Sequence, residues 1–356
     1  MTQNKIPLDD PSSGLPSECQ AQPEPKDSSE VDSRRDFLKT SAASILGAAA
    51  LMTQSDDAQA NIEWAEHFQG NYRLMTEQEK AESRARLEKR YSAEYGKEVT
   101  VDGTPAKEGV LLGYALNIRK CIGCRRCVKA CVEENNQSRG QKTGETIEWI
   151  QVMKMARGEF SKEKMNEGYP EGLGIQVGGN AYSPAGVVLE GEYFYEPKAV
   201  PEKESTYMPI ACMQCEKPPC VKVCPVRTTY REPDGVVVID YNWCIGCRMC
   251  ANACPYWARK FNWRNPQLPP DKINPKTHYL SNRPREKGVM EKCTFCLQRT
   301  RKGENPACHA ACPTGARVFG NLLDPKSEIR YVLQNKRVFR LKEDLNTQPK
   351  FWYYAD

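Results

Sequence analysis

Sixteen of the 17 cysteines fall into four groups of four: Cys121, Cys124, Cys127 and Cys131; Cys212, Cys215, Cys220 and Cys224; Cys244, Cys247, Cys250 and Cys254; Cys293, Cys296, Cys308 and Cys312. The third group reads C-x2-C-x2-C-x3-C-P, closing on Pro255. Three thiolates within seven residues can turn inward from one loop and hold three irons of a cubane. The fourth, on the helix that follows, points away to a second cubane, so two such segments complete each other's sites. The chemistry these residues favour is iron–sulfur ligation, with four 4Fe-4S clusters for sixteen thiolates.

Two other uses of cysteine stay open on the residues alone. Zinc takes C-x2-C pairs into a tetrahedral knot, but four ligands per site leave no task for the third cysteine inside the first and third groups. A disulfide framework suits an exported chain, yet cysteines this close in sequence have to pair with distant triplets. Cys19, the odd one, lies in a segment expected to be removed.

A strand must lead into each loop and a helix must follow it. Leu116–Lys120 leads into CIGCRRCVKAC and Val236–Trp243 into CIGCRMCANAC, an internal repeat with an alternating lead-in strand. Glu232-Pro233-Asp234-Gly235 supplies the turn before the second of these strands. Upstream, Thr76-Glu77-Gln78-Glu79 is a capping-box start, followed by Leu87, Tyr91 and Tyr95 at helical spacing and a stop at Gly96. It predicts one amphipathic helix packed on the chain's own core. The long stretch between Cys131 and Cys212, rich in Gly and Tyr from Gly168 to Tyr195, is expected to cover clusters or meet a partner.

The N-terminal region has a different character. Ser33-Arg34-Arg35-Asp36-Phe37-Leu38-Lys39 precedes an apolar run from Ser41 to Met52 and then Ala58-Gln59-Ala60, a small-x-small cleavage site. This resembles a twin-arginine export signal, with retention as an uncleaved anchor as the alternative. The route carries folded proteins, which suits a chain whose clusters are assembled before it meets an oxidising compartment. Without residues 1–60 the chain carries 46 basic against 36 acidic residues, or +10. Each cluster with its thiolates adds about −2, so the basic excess balances the cofactors. The basic residues are interleaved with acidic ones, and nucleic acid is not an expected partner.

The fold class expected is α+β: two tandem dicluster ferredoxin modules with long loop insertions and helical extensions. The organisation expected is a signal over 1–60, a helical extension over 61–110, the four-cluster domain over 111–320 with its insertion at about 140–205, and a C-terminal extension over 321–356. Cluster potential depends on net charge, hydrogen bonds to sulfur and exposure. Arg119, Lys120, Arg125, Arg126 and Lys129 crowd the first motif, and Arg248 and Arg259 follow in the third, so a raised potential is expected at the first motif. No phosphate loop, nucleophile with a base, or CxxCH haem site is found, and His67, His278 and His309 are the histidines. Catalysis therefore belongs to a partner.

The four cysteine groups, the fourth spread as C-x2-C-x11-C-x3-C-P, together with GVMEKCTFC, ACPTGARVFG and CPVRTTYREPDGVVVIDYNWCIGC, resemble the four-cluster iron–sulfur subunit of the complex iron–sulfur molybdoenzymes over about residues 111–345. Members of that family serve dimethyl sulfoxide, polysulfide, tetrathionate and nitrate reductases and formate dehydrogenase. The resemblance implies ligand sets Cys121/Cys124/Cys127/Cys312, Cys293/Cys296/Cys308/Cys131, Cys212/Cys215/Cys220/Cys254 and Cys244/Cys247/Cys250/Cys224. It implies a periplasmic electron-transfer subunit, peripheral to the inner membrane and touching it through a partner. The partners implied are a multispanning, quinone-reactive subunit of the polysulfide-reductase type and a molybdopterin catalytic subunit. A polyferredoxin working with a multihaem cytochrome, and a non-redox assembly or structural module, are the alternatives. Val132 stands where a proline usually follows the first group, and Cys250 is intact where some relatives carry tryptophan. No apolar run near the C-terminus matches the membrane helix of the formate dehydrogenase type.

Overall fold

The computed structural model describes residues 75–139, 147–156, 201 and 203–356. The export signal, Cys19, His67 and most of the long insertion lie outside the described residues.

Helix α1, Glu77–Tyr95, opens on a reciprocal capping box between Thr76 and Glu79 and ends at left-handed Gly96. Its buried side, Ser83, Leu87, Tyr91 and Tyr95, faces the core, and the Tyr91 hydroxyl donates to the Pro284 carbonyl at 3.0 Å. Strand β1, Thr100–Asp102, then runs parallel to a strand far along the chain, Lys276–His278.

The largest sheet is mixed and four-stranded. At its centre β2, Leu112–Asn117, pairs antiparallel with Arg317–Asn321 and parallel with Phe351–Tyr354, which in turn pairs with Val338–Phe339. The period of two in β2 divides its faces. Tyr114 and Leu116 enter the main core, where Tyr114 stacks on Phe351 with ring centroids 4.9 Å apart. Ala115 points to the other face, under Ile329 and Val332 of the helix Glu328–Asn335. The aromatic C-terminal run Phe351–Tyr354 is thus a core strand.

Helix α2, Arg126–Glu134, follows the first cysteine loop. Val132, in place of a proline, lets α2 run on past Cys131 and is itself buried. Strands β3, Gln151–Ala156, and β4, Ser205–Ile210, form an antiparallel ribbon at the two ends of the long insertion. A short helix α3, Pro219–Lys222, follows, then the hairpin β5, Thr229–Arg231, and β6, Val237–Ile239, turning at Gly235 with φ 79°. Helix α4, Met249–Asn252, follows the third loop, and β7, Lys260–Phe261, pairs with Met290–Glu291. Two further one-turn helices, Leu297–Thr300 and Ala307–Ala310, lie within the fourth group. Small sheets and short helices tied together by the cysteine loops make this an α+β fold.

Candidate metal centres

The two CIGC loops fold alike. Gly123 and Gly246 have φ 74° and 71°, and Arg125 and Arg248, two residues on, have φ 54° and 64°. Left-handed residues at these points turn N–H groups toward the sulfur atoms, as when Gly123 donates to Cys121 and Gly246 to Cys244. A Cβ on Gly246 would strike the Gly288 carbonyl oxygen, and one on Gly123 the Tyr207 ring. Close approach and positive φ together require glycine at both places.

The structure brings cysteines of distant motifs together. Cys121, Cys124, Cys127 and Cys312 line one pocket with Leu116, Val152 and Arg317. Cys212, Cys215, Cys220 and Cys254 line a second with Val237, Tyr256 and Arg259. Cys131, Cys293, Cys296 and Cys308 are mutual electrostatic neighbours in the core, as are Cys224, Cys244, Cys247 and Cys250. Among the described residues, no cysteine is joined in a disulfide. Among the described residues, no group of three or more His, Cys, Asp or Glu closes to the spacing of a single metal ion, whereas each pocket keeps its cysteines around open space.

Burial, reinforced by neighbouring sulfurs, pushes Cys121 and Cys293 up to about 12 and Cys250 to about 11. The bare protein therefore holds these groups as thiols, and it takes a bound cation to make them thiolates. Cys312 goes the other way. Burial opposes its thiolate, but the Thr314 hydroxyl and the N–H groups of Ala316 and Thr314 outweigh that and lower it.

Donors surround the sulfur atoms. Gln137 Nε2 donates to Cys131 Sγ at 3.1 Å, and Asn135 Nδ2 lies 3.5 Å from Cys131 Sγ and 3.6 Å from Cys296 Sγ. The Tyr114 hydroxyl is 3.4 Å from Cys308 Sγ, and Arg259 Nη2 donates to Cys220 Sγ at 3.0 Å. Buried guanidinium nitrogens, Arg259 Nε and Arg317 Nη2, have no partner among the described residues. Soft sulfur ligands, N–H donors aimed at them and unpaired buried cations fit an anionic iron–sulfur cluster.

The basic residues at the first motif stand in two environments: buried Arg125 is held by both oxygens of Glu148 at 2.8 Å. Arg119, Lys120, Arg126 and Lys129 are exposed and screened by water, although Arg126 acts on Cys124. Arg248 lies outside, over the Trp263 ring at 4.8 Å, while Arg259 is buried against sulfur. Sequence reasoning missed Arg317, Lys292, Asn135 and Gln137. For Arg317 a signal existed: CPYWAR and CPTGAR put Arg259 and Arg317 five residues after the last cysteine of their groups.

Around the exposed Cys247, Trp243, Ile245, Met249 and Trp263 are each between 37% and 43% exposed. The first three flank it in sequence, and Trp263 lies against its neighbour Arg248. No helix among the described residues is long and apolar enough to cross a membrane.

Fold and cysteine loops together define a tandem dicluster ferredoxin, and two family profiles described as "4Fe-4S dicluster domain" match residues 120–228 and residues 203–269 with 277–322. The chain is 37% identical to a putative dimethyl sulfoxide reductase iron-sulfur subunit of Halobacterium salinarum, covering 68% of this chain and 78% of that one. It is 32% identical to the iron-sulfur cluster-binding subunit of menaquinone reductase from Nitratidesulfovibrio vulgaris, covering 68% and 88%. A tetrathionate reductase subunit of Salmonella typhimurium is 30% identical, with 71% and 74% covered. The chain belongs to the iron–sulfur subunit family of the complex iron–sulfur molybdoenzymes. It carries 4Fe-4S clusters, four for two dicluster domains, and serves electron transfer within a reductase-type complex rather than catalysis.

Proposed function

We propose that the thiols ligate four clusters as Cys121/Cys124/Cys127/Cys312, Cys131/Cys293/Cys296/Cys308, Cys212/Cys215/Cys220/Cys254 and Cys224/Cys244/Cys247/Cys250. The observation that carries this reading is the pair of pockets, each lined by three thiols of one motif and the last thiol of another. When bound, the clusters supply one-electron donor and acceptor sites. The chain holds those sites in a row and keeps water from the inner ones. Electrostatic contacts between Cys127 and Cys308, Cys293 and Cys212, and Cys250 and Cys220 support that order.

The chain is exported folded, with residues 1–60 as its twin-arginine signal, and acts at the outer face of the inner membrane. There it passes electrons between a multispanning, quinone-reactive subunit of the polysulfide-reductase type and a molybdopterin catalytic subunit. The names of the menaquinone and polysulfide reductase relatives support the first partner, and the exposed Cys247 with exposed apolar side chains beside it supports a protein docking there. Iron, sulfide and zinc per exported chain, with low-temperature EPR of the reduced protein, test the ligand sets. About sixteen irons with interacting 4Fe-4S signals are expected. Stoichiometric zinc overturns the reading. Isolation of the complex from membranes tests the partners, and a multihaem cytochrome in place of a molybdopterin protein refutes that part. A mature N-terminus at Asn61 checks the signal.

A further inference from the structure

We infer that Arg317, Lys292 and Arg259 are junction cations, each lying between two neighbouring cysteine groups and raising the potentials of both clusters it separates. The inference rests on the four-cluster reading above.

Arg317 lines the pocket of Cys121, Cys124, Cys127 and Cys312. It reaches the next group through Tyr114: Nη1 donates to the phenol oxygen at 3.4 Å, and that oxygen is 3.4 Å from Cys308 Sγ. Lys292, with 0% exposure, donates to the Cys293 carbonyl at 2.9 Å and to the Val237 carbonyl. Val237 lines the pocket of Cys212, Cys215, Cys220 and Cys254, so Lys292 spans the second junction. Gln214 braces the same span, donating to the Cys293 carbonyl at 2.7 Å and accepting from Val237 N–H at 2.8 Å. Arg259 lines that pocket, donates to Cys220 Sγ at 3.0 Å, and feels Cys250 of the last group as well as Cys220.

These cations differ from three other buried ones. Arg125, Arg285 and Arg301 are paired with Glu148, Glu291 and Asp234. Among the described residues no ion pair involves Arg317, Lys292 or Arg259, and Arg317 Nη2 and Arg259 Nε have no acceptor. A buried cation without a carboxylate is costly unless another anion faces it. The anions on both sides here are clusters with their thiolates, about −2 each and one unit more negative when reduced. A cation between two such groups favours added negative charge on either side.

The test is a potentiometric titration followed by EPR on the assembled protein in its complex, comparing Arg317→Gln, Lys292→Gln and Arg259→Gln with the unaltered chain. Each substitution is expected to lower two midpoints by at least tenfold in the reduction equilibrium, about 59 mV for one electron. The affected pairs overlap: Arg317→Gln and Lys292→Gln share one cluster, Lys292→Gln and Arg259→Gln the next. Arg317→Lys and Arg259→Lys restore most of the shift. With iron content intact, a variant that moves one midpoint or none overturns the inference. Where a Gln variant loses iron, Met takes its place. Loss of iron at all three junctions with both residues also overturns the inference, since the cations then hold the clusters rather than tune them. Failure of the four-cluster reading shows separately, as low iron in the unaltered protein.

Discussion

Replacing Arg285 with methionine removes a buried cation that the fold uses in four directions. Its side chain is 1% exposed and that of Glu291 0%. The guanidinium donates to Glu291 through Nε, to the carbonyls of Asn135 at 2.6 Å and Arg283 at 2.9 Å through Nη1, and to that of Asn136 at 2.9 Å through Nη2. It also lies 5.2 Å from the Trp149 ring centroid. Glu291 Oε1 is buried with no partner among the described residues, so its carboxylate depends on Arg285. An orphaned buried carboxylate costs about 3 kcal/mol at the low end. The freed carbonyls add about 2 kcal/mol together, for a total of about 5 kcal/mol. Unfolding of a cluster protein is read as a rate, and if half of that loss is felt before the transition state, unfolding speeds up roughly seventyfold. The double variant Arg285→Met/Glu291→Leu removes both charges and keeps the carbonyl cost of about 2 kcal/mol, so its acceleration is about fivefold. The assay is anaerobic bleaching of cluster absorbance at fixed guanidinium concentration. Equal rates for the single and double variants would refute the argument that the unpaired charge dominates.

Two further outcomes are expected. Gln137→Met removes the N–H donor to Cys131 Sγ and should lower a single cluster midpoint by about 1 kcal/mol, on the order of 40 mV; an EPR titration with unchanged midpoints contradicts this. His278 is pressed down to about 4 by burial, against a helpful hydrogen bond to the Thr104 carbonyl, while its Nδ1 accepts from Leu280 N–H. Its folded pKa lies below the unfolded one, so the stability it confers is complete above about pH 6.5 and is lost as pH falls toward 4, with a slope of at most about 1.4 kcal/mol per pH unit. The bleaching rate of His278→Gln should therefore rise less steeply with acid than that of the unaltered protein, and parallel profiles would count against a buried neutral histidine.

Local features are the legible part of this chain. The Thr76 cap and Gly96 stop bound α1 as the sequence predicts, because capping is decided by residues three or four apart. The CIGC repeat reappears as matched left-handed glycines and arginines for the same reason. Strand limits are less legible. The sequence predicts a strand over Leu116–Lys120, but β2 starts at Leu112 and stops at Asn117, whose side chain accepts from the N–H groups of Arg119 and Lys120 and turns the chain. Long-range pairings are out of reach. Nothing near Arg125 announces that Glu148 will neutralise it, and the parallel pairing of β1 with residues 276–278 joins segments more than 170 residues apart. Arg317 is marked locally by the repeated CPxxAR spacing, but its tie to Tyr114, far along the chain, is hidden by the same limit.

The strand Phe351–Tyr354 has a consequence for how the protein is made. It lies beside β2 in parallel register, with Phe351 opposite Tyr114 and Tyr354 opposite Asn117. β2 leads directly into Cys121, and Tyr114 supports Cys308, so the scaffold of the earliest cysteine loop is completed by residues synthesised after all four cysteine groups. Pairing over such a separation is slow to form. During synthesis the first loop waits, unsupported, while the other three motifs emerge. Iron delivered early would meet thiols whose backing sheet does not yet exist, and a nascent chain stopped short of residue 351 leaves that sheet open on the β2 edge. The architecture thus favours loading after Tyr354 has emerged, with the closing strand acting as a check that all four cysteine groups have been made.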